Sequence, residues 1–188
     1  MQKIILASQS PRRKQILEWA EIDFEMIAPE TDESFPAHLN FEEAAIHIAY
    51  NKVTAVSATA NITIPILAAD TIVVCNDQII GKPKNKEDAV SILQMLSGNM
   101  HKVITGVCIY FNDQVITFSD ITTVEFNTLA LEQIEYYINK YKPYDKAGAY
   151  AIQEWIGVIG IKSIDGDFYN VMGLPINRVV SALKNLNI

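Results

Sequence analysis

The sequence predicts an α/β or α+β fold, with a mixed central sheet and flanking helices. Three observations point there. Apolar runs of strand length are interspersed with stretches whose apolar residues recur at helical spacing. Two Asn-Asp pairs, Asn76-Asp77 and Asn112-Asp113, separate apolar runs as hairpin turns do, so the sheet is not purely parallel. The chain has 188 residues, 49% of them apolar, enough for one sizeable core or a single domain with two lobes.

Each element has its own signal. Ile4-Ile5-Leu6 reads as a short buried strand within 3–7. Helix 11–20 follows, with Ser10 as its cap, Pro11 in its first position, and Ile16, Leu17 and Ala20 at helical spacing. A strand at 23–27 and a polar loop through Pro36 lead to helix 41–60, opened by Asn40 and Glu43 in capping-box spacing. Strand 65–75 runs into the Asn76-Asp77 hairpin, and helix 86–96 is capped by Asn85 with Ala89, Val90, Leu93 and Leu96 on one face. Strands 101–111 and 114–126 flank Asn112-Asp113. Helix 130–141 carries Leu131, Ile134, Ile138 and Tyr141. Strands at 156–164 and 168–171 precede a last helix, 175–185, with Pro175 in its first turn. No internal repeat, low-complexity tract or linker divides the chain.

Bulk properties exclude several classes. A net charge of −7 argues against a nucleic-acid binder, which carries a basic excess. It leaves room for a small polyphosphate, because a few local cations dominate a cleft. No window approaches a transmembrane span, and the N-terminus lacks a signal-peptide stretch, so no membrane partner is expected. Cys75 and Cys108 stand alone in apolar runs as reduced core thiols, which points to the cytoplasm. His38, His47 and His101 are scattered and read as surface or packing residues.

The richest stretch is Leu6-Ala7-Ser8-Gln9-Ser10-Pro11-Arg12-Arg13. A strand breaks into two hydroxyls, a proline and two arginines at the start of a helix. Free backbone N–H groups and the positive end of the helix dipole suit an anion there, and guanidinium forks match phosphate oxygens. The plain alternative is an ordinary cap followed by two solvated arginines.

Charged and polar residues also interrupt apolar patterns. Lys52 falls in the middle of the stripe Phe41, Ala44, Ala45, Ile48, Ala49, Val53, Val56, taking about 100° per residue. It must either snorkel to the rim or reach an anion. Asp70 interrupts the run from Ile66 to Val74, where a carboxylate is costly unless it is paired, hydrogen-bonded or bound to metal. Lys82 stands between Gly81 and Pro83, better fixed than an ordinary surface lysine. Thr31-Asp32-Glu33-Ser34-Phe35-Pro36 is either a solvated turn or a set of oxygen ligands for Mg²⁺. Gln153 ends a small-residue stretch from Asp145, and its planar amide can pair with the imide edge of uracil or thymine or simply cap a loop.

Together these stretches, with Gly173-Leu174-Pro175, resemble the Maf family of nucleoside-triphosphate pyrophosphatases over essentially the whole chain, 1–188. The resemblance implies one domain with two lobes around a cleft, an inosine-triphosphatase-like fold, and hydrolysis of a nucleoside triphosphate to the monophosphate and pyrophosphate. It implies a divalent metal cation, Mg²⁺ or Mn²⁺, and allows a homodimer. Arg13, Thr71 and Gln153 look like the specificity triplet of the dTTP/UTP branch. The alternatives are a 7-methyl-GTP or purine-specific enzyme of the same fold, or a nucleotide-binding regulator of septum formation. One departure is local: many relatives carry a glycine after Gln153, where this chain has Glu154-Trp155.

A mechanism consistent with these residues gives each a role, and for Asp70 the resemblance implies the same one. Asp70 is the general base, helped by metal because a carboxylate is a weak base at neutral pH. Glu33, with Asp70, is the expected metal ligand. Lys52, Lys82 and Arg12 hold the triphosphate and offset the charge of the leaving pyrophosphate, while Ser8 and Ser10 at the helix N-terminus fix a phosphate. A covalent serine mechanism is disfavoured, because no histidine lies near Ser8 or Ser10 in sequence and no nucleophile-elbow motif is present.

Overall fold

The structure, a computed structural model, describes residues 2–59 and 63–186. Its strands are β1 (Ile4–Leu6), β2 (Phe24–Met26), β3 (Ile66–Cys75), β4 (Gln78–Ile80), β5 (Met100–Phe111), β6 (Gln114–Phe126) and β7 (Ile161–Asp165). Its helices are α1 (Pro11–Trp19), α2 (Phe41–Ser57), α3 (Lys86–Leu96), α4 (Leu131–Tyr141), α5 (Trp155–Gly160), α6 (Phe168–Met172) and α7 (Ile176–Asn185). A single 3-10 turn spans Ala147–Ala149. The strands form one seven-stranded sheet in the order β2-β1-β3-β5-β6-β7, with β4 paired to β3. β1 runs parallel to both β2 and β3, whereas β3–β4 and β6–β7 are antiparallel. The expected mixed sheet with flanking helices is therefore present.

Local chemistry explains most boundaries. Ser10 caps α1 and Pro11 opens it. At α2, Asn40 and Glu43 form a reciprocal capping box. That helix ends at Ser57; Ala60, the last residue of the expected helix, lies outside the described residues. Both hairpin pairs adopt left-handed backbone, with φ of 51° and 57° at Asn76-Asp77 and 47° and 61° at Asn112-Asp113. Two such residues in succession match the twist of an antiparallel ribbon.

One expected strand, 168–171, and the first part of another, 156–164, are helical. Residues 155–160 form α5, not the start of a strand from 156, and only 161–165 pair with β6. A short apolar run fits either period, and here Ile156 and Gly160 are buried, one helical turn apart. Residues 168–171 fall in α6. The Asp167 carboxylate accepts from the Tyr169 amide, and the buried Asn170 amide donates to the Val103 carbonyl and Thr122 Oγ1. These anchors override the strand preference of Phe-Tyr-Val. In α4, Tyr137 joins Ile134 and Ile138 in the core, while Leu131 is exposed.

The chain folds into two compact units. The first comprises Met1–Thr71, Thr105–Asp120 and Gly173–Ile188. Its core includes Ile5, Ala7, Ala49, Val53, Val56, Ile66, Ala68 and Cys108. Gly106 on β5 lets α2 come very close, since a Cβ there would stand 2.2 Å from the Ala45 carbonyl carbon. The second unit comprises Ile72–Ile104 and Ile121–Met172. Leu93 and Leu96 of α3, Ile134, Tyr137 and Ile138 of α4, and Phe126 are among its fully buried side chains.

Cys75 and Cys108 are free and buried, as expected. No described helix is long and apolar enough to cross a membrane.

Candidate active site

In the first unit the charged residues converge. Lys52 projects from the buried face of α2, and its Nζ donates to Asp70 Oδ1 at 2.6 Å and to Glu33 Oε1 at 2.8 Å. The Lys52 and Asp70 side chains are only 9% and 13% exposed. Asp70 does not break β3; the strand runs through it. Lysine thus bridges a buried carboxylate to one that is half in water, which offsets the cost of burying each charge. Asp32, beside Glu33, accepts from both the hydroxyl and the amide of Ser34. Those bonds hold its carboxyl below the usual range and fold the turn that carries Glu33.

The β1–α1 loop is built around Arg13. This side chain is buried, with Nε donating to the Gly173 carbonyl at 2.8 Å, Nη2 to Thr71 Oγ1 at 3.1 Å and Nη1 to Ser8 Oγ at 3.3 Å. Burial lowers the guanidinium from its ordinary value, and the charge of Asp70 opposes that effect. Ser8 Oγ also accepts from the Ser10 amide at 3.1 Å. With two bonds accepted, the Ser8 hydroxyl presents its proton as a donor. Ser10 Oγ accepts from the Arg13 amide at 3.4 Å, and Arg12 is half-buried beside it. Thr71 Oγ1 bonds Thr105 Oγ1 at 3.0 Å, continuing the network onto β5. The structure therefore brings together Ser8, Ser10, Arg12, Arg13, Glu33, Lys52, Asp70 and Thr71 in one unit.

Lys82 and Gln153 belong to the other unit. Their segments meet through backbone: the Gly148 amide donates to the Gly81 carbonyl at 3.2 Å. Gly148 has φ +73°, and a Cβ there would press on both Val73 methyl groups at 3.3 Å, so only glycine fits without strain. Lys82 is exposed. Gln153 is half-buried, and its Oε1 is shut off from water with no hydrogen-bond partner among the described residues.

Sequence reasoning missed three supports. Thr105 lies in a strand run and carried no signal. The Gly173 carbonyl is a backbone acceptor whose role the Gly173-Leu174-Pro175 motif hinted at only by its small residue. Lys146, buried and 2.8 Å from Asp145 Oδ1, stood beside the Gly148 stretch as a charge next to small residues.

Among the described residues no three His, Cys, Asp or Glu side chains converge on a metal position. The fit for a divalent cation rests on Glu33 and Asp70, whose carboxylates meet on one ammonium. One or two carboxylates completed by phosphate oxygens and water is the donor set that Mg²⁺ takes. The residues present fit that chemistry.

The chain belongs to the Maf-like protein family, whose pattern matches residues 3–186. It is 47% identical over 184 residues to the dTTP/UTP pyrophosphatase of Parabacteroides distasonis, covering 97% of this chain and 95% of that relative. It is 48% identical over 183 residues to the dTTP/UTP pyrophosphatase of Cytophaga hutchinsonii, covering 97% and 84%. Among solved structures, the Staphylococcus aureus Ham1 protein aligns over 98% of this chain and 99% of its own at 17% identity, with a TM-score of 0.53. That likeness shows a shared fold.

Proposed function

We propose that this protein hydrolyses nucleoside triphosphates, dTTP and UTP before others, to the monophosphate and pyrophosphate. The observation that carries the reading is the buried Lys52–Asp70 pair with Glu33 on the same ammonium. The two relatives described above, each named a dTTP/UTP pyrophosphatase, support the substrate class.

Asp70 takes a proton from a water molecule. The water oxygen bonds to the α-phosphorus, and the bond from that phosphorus to the bridging oxygen breaks to release pyrophosphate. Lys52 orients the Asp70 carboxylate and, with Arg12 and Lys82, offsets the charge gathering on the leaving group. Ser8 donates its hydroxyl proton to a phosphate oxygen, and the capped start of α1 at Ser10 adds backbone N–H groups. Glu33 and Asp70 would hold Mg²⁺ or Mn²⁺, which would supply charge neutralisation and a more acidic water. Gln153 reads the base: its buried Oε1 suits the N3–H of uracil or thymine. Arg13 and Thr71 complete the specificity triplet.

The test is pyrophosphate release from dTTP, UTP, CTP, GTP, ITP and 7-methyl-GTP with Mg²⁺ or Mn²⁺, using wild type and Asp70→Asn. Release from dTTP and UTP, lowered about 10²–10⁴-fold in the variant while nucleotide still binds, supports the reading. Turnover chiefly of 7-methyl-GTP or ITP overturns the pyrimidine assignment. No turnover of any nucleotide turns the protein into a binding regulator.

A further inference from the structure

Two consecutive tyrosines of α4 grip the two residues that follow Gln153. The hydroxyl of Tyr137 donates to Glu154 Oε2, and it accepts from the Ala151 amide at 3.2 Å. One fully buried hydroxyl therefore holds both ends of the arc 151–154. The ring of Tyr136 meets the Trp155 ring edge-on, with centroids 4.8 Å apart. Lys146 Nζ lies 3.7 Å from Glu154 Oε1 and balances its charge. The arc also closes on itself, with the Glu154 amide donating to the Ala151 carbonyl at 3.1 Å. Its far side is bounded by Gly157, where a Cβ would fall 1.8 Å from the Ile152 carbonyl oxygen.

Inside this arc stands the Gln153 amide, whose buried oxygen has no hydrogen-bond partner among the described residues. An acceptor shut off from water gains from a ligand donor only if it is held still in one orientation. A free loop would let it turn away or find a backbone partner. A glycine at position 154 would have no side chain to make such a grip. Glu154 supplies it here, and the carboxylate–phenol bond is of the stronger, charge-assisted kind.

We propose that Tyr137 and Glu154 are positioning residues for base selection, which lock the Gln153 amide to face the N3–H of a uracil or thymine ring. The proposal rests on the reading that Gln153 contacts the base. It adds the assembly that makes the contact selective. Cytosine has a lone pair at N3 where uracil has a hydrogen, so the ratio of UTP to CTP reports the lock directly.

The experiment measures KM and kcat for UTP, dTTP and CTP in wild type, Tyr137→Phe, Glu154→Ala, Glu154→Gln and Gln153→Ala. Loss of the grip should raise KM for UTP and dTTP about tenfold, as loss of one good hydrogen bond does. KM for CTP and kcat for all three should move less than about twofold, so the UTP-to-CTP preference collapses. Glu154→Gln keeps an acceptor for the Tyr137 hydroxyl and should restore most of the preference. A uniform fall in kcat across the three nucleotides, or an unchanged preference in both Tyr137→Phe and Glu154→Ala, overturns the proposal. If Gln153→Ala itself leaves the preference intact, the base contact fails and the proposal falls with it. If Gln153→Ala collapses the preference and the other variants do not, only the grip is wrong. Should Glu154→Ala not fold, Tyr137→Phe, which removes a single oxygen, decides the matter.

Discussion

Lys52 and Asp70 form an ion pair at 2.6 Å with both side chains almost wholly out of water. Such pairs are asymmetric in their energetics. Losing one partner leaves a buried charge alone, whereas losing both leaves little strain. Lys52→Met should therefore lower stability by about 3–5 kcal/mol. Lys52→Met combined with Asp70→Asn should recover much of that loss, because the two costs share one cause. Urea midpoints of the single and double variants check this, and simple additivity would mean that the pair is not coupled.

Arg13 uses three separate guanidinium nitrogens on three acceptors, Gly173 O, Thr71 Oγ1 and Ser8 Oγ. A lysine has one ammonium at the end of a flexible stem and cannot span that fork. Arg13→Lys should cost about 1–3 kcal/mol for each acceptor left unsatisfied. It should also free the Ser8 loop and lower kcat/KM for triphosphate. Thr71→Val removes only one of the three contacts and should be milder on both counts. Thermal melts beside steady-state kinetics separate the two variants; equal effects would sink the ranking.

His101 supplies a pH test. It is buried, stacks on Phe126 and bonds Tyr150 through Nε2 at 2.7 Å. Desolvation pulls its pKa down to about 4. In the unfolded chain a histidine titrates near about 6.5. Between those values the unfolded state binds the extra proton, so stability falls as pH drops through that window and is level above it. The loss is on the order of 3 kcal/mol. His101→Phe should flatten this part of the profile. Urea midpoints between about pH 4 and 7 measure it for both proteins, and parallel curves would remove His101 from the account.

Much of this architecture was legible in residue order. Caps at Ser10, Asn40 and Asn85, and left-handed pairs at the two hairpins, are local signals that the fold keeps. Lys52 and Asp70 stood out because charge in an apolar pattern is costly, and the structure pairs them. What stayed hidden depends on distant partners. Residues 156–160 and 168–171 look like strands alone; the Ile152 carbonyl under Gly157 and the side chain of Thr122 under Asn170 accompany their helical form. Tyr137 looked like one more residue of a helix, since nothing near it in sequence shows that its hydroxyl meets residues 151 and 154. Glu154 was visible only as a departure from the resemblance, a charge directly after Gln153.

The first unit is assembled from three stretches of chain, and the last begins at Gly173. The carbonyl of that glycine is the acceptor for Arg13 Nε, near the opposite end of the sequence. During synthesis the second unit's final stretch, through Met172, leaves the ribosome before this piece does. The β1–α1 loop therefore lacks its Arg13 Nε acceptor until nearly all of the described chain has emerged. The β1–α1 loop is among the first segments translated and among the last to become native. Truncation just before Gly173 should leave nascent chains whose second unit has folded and whose first has not, the species that chaperones would hold.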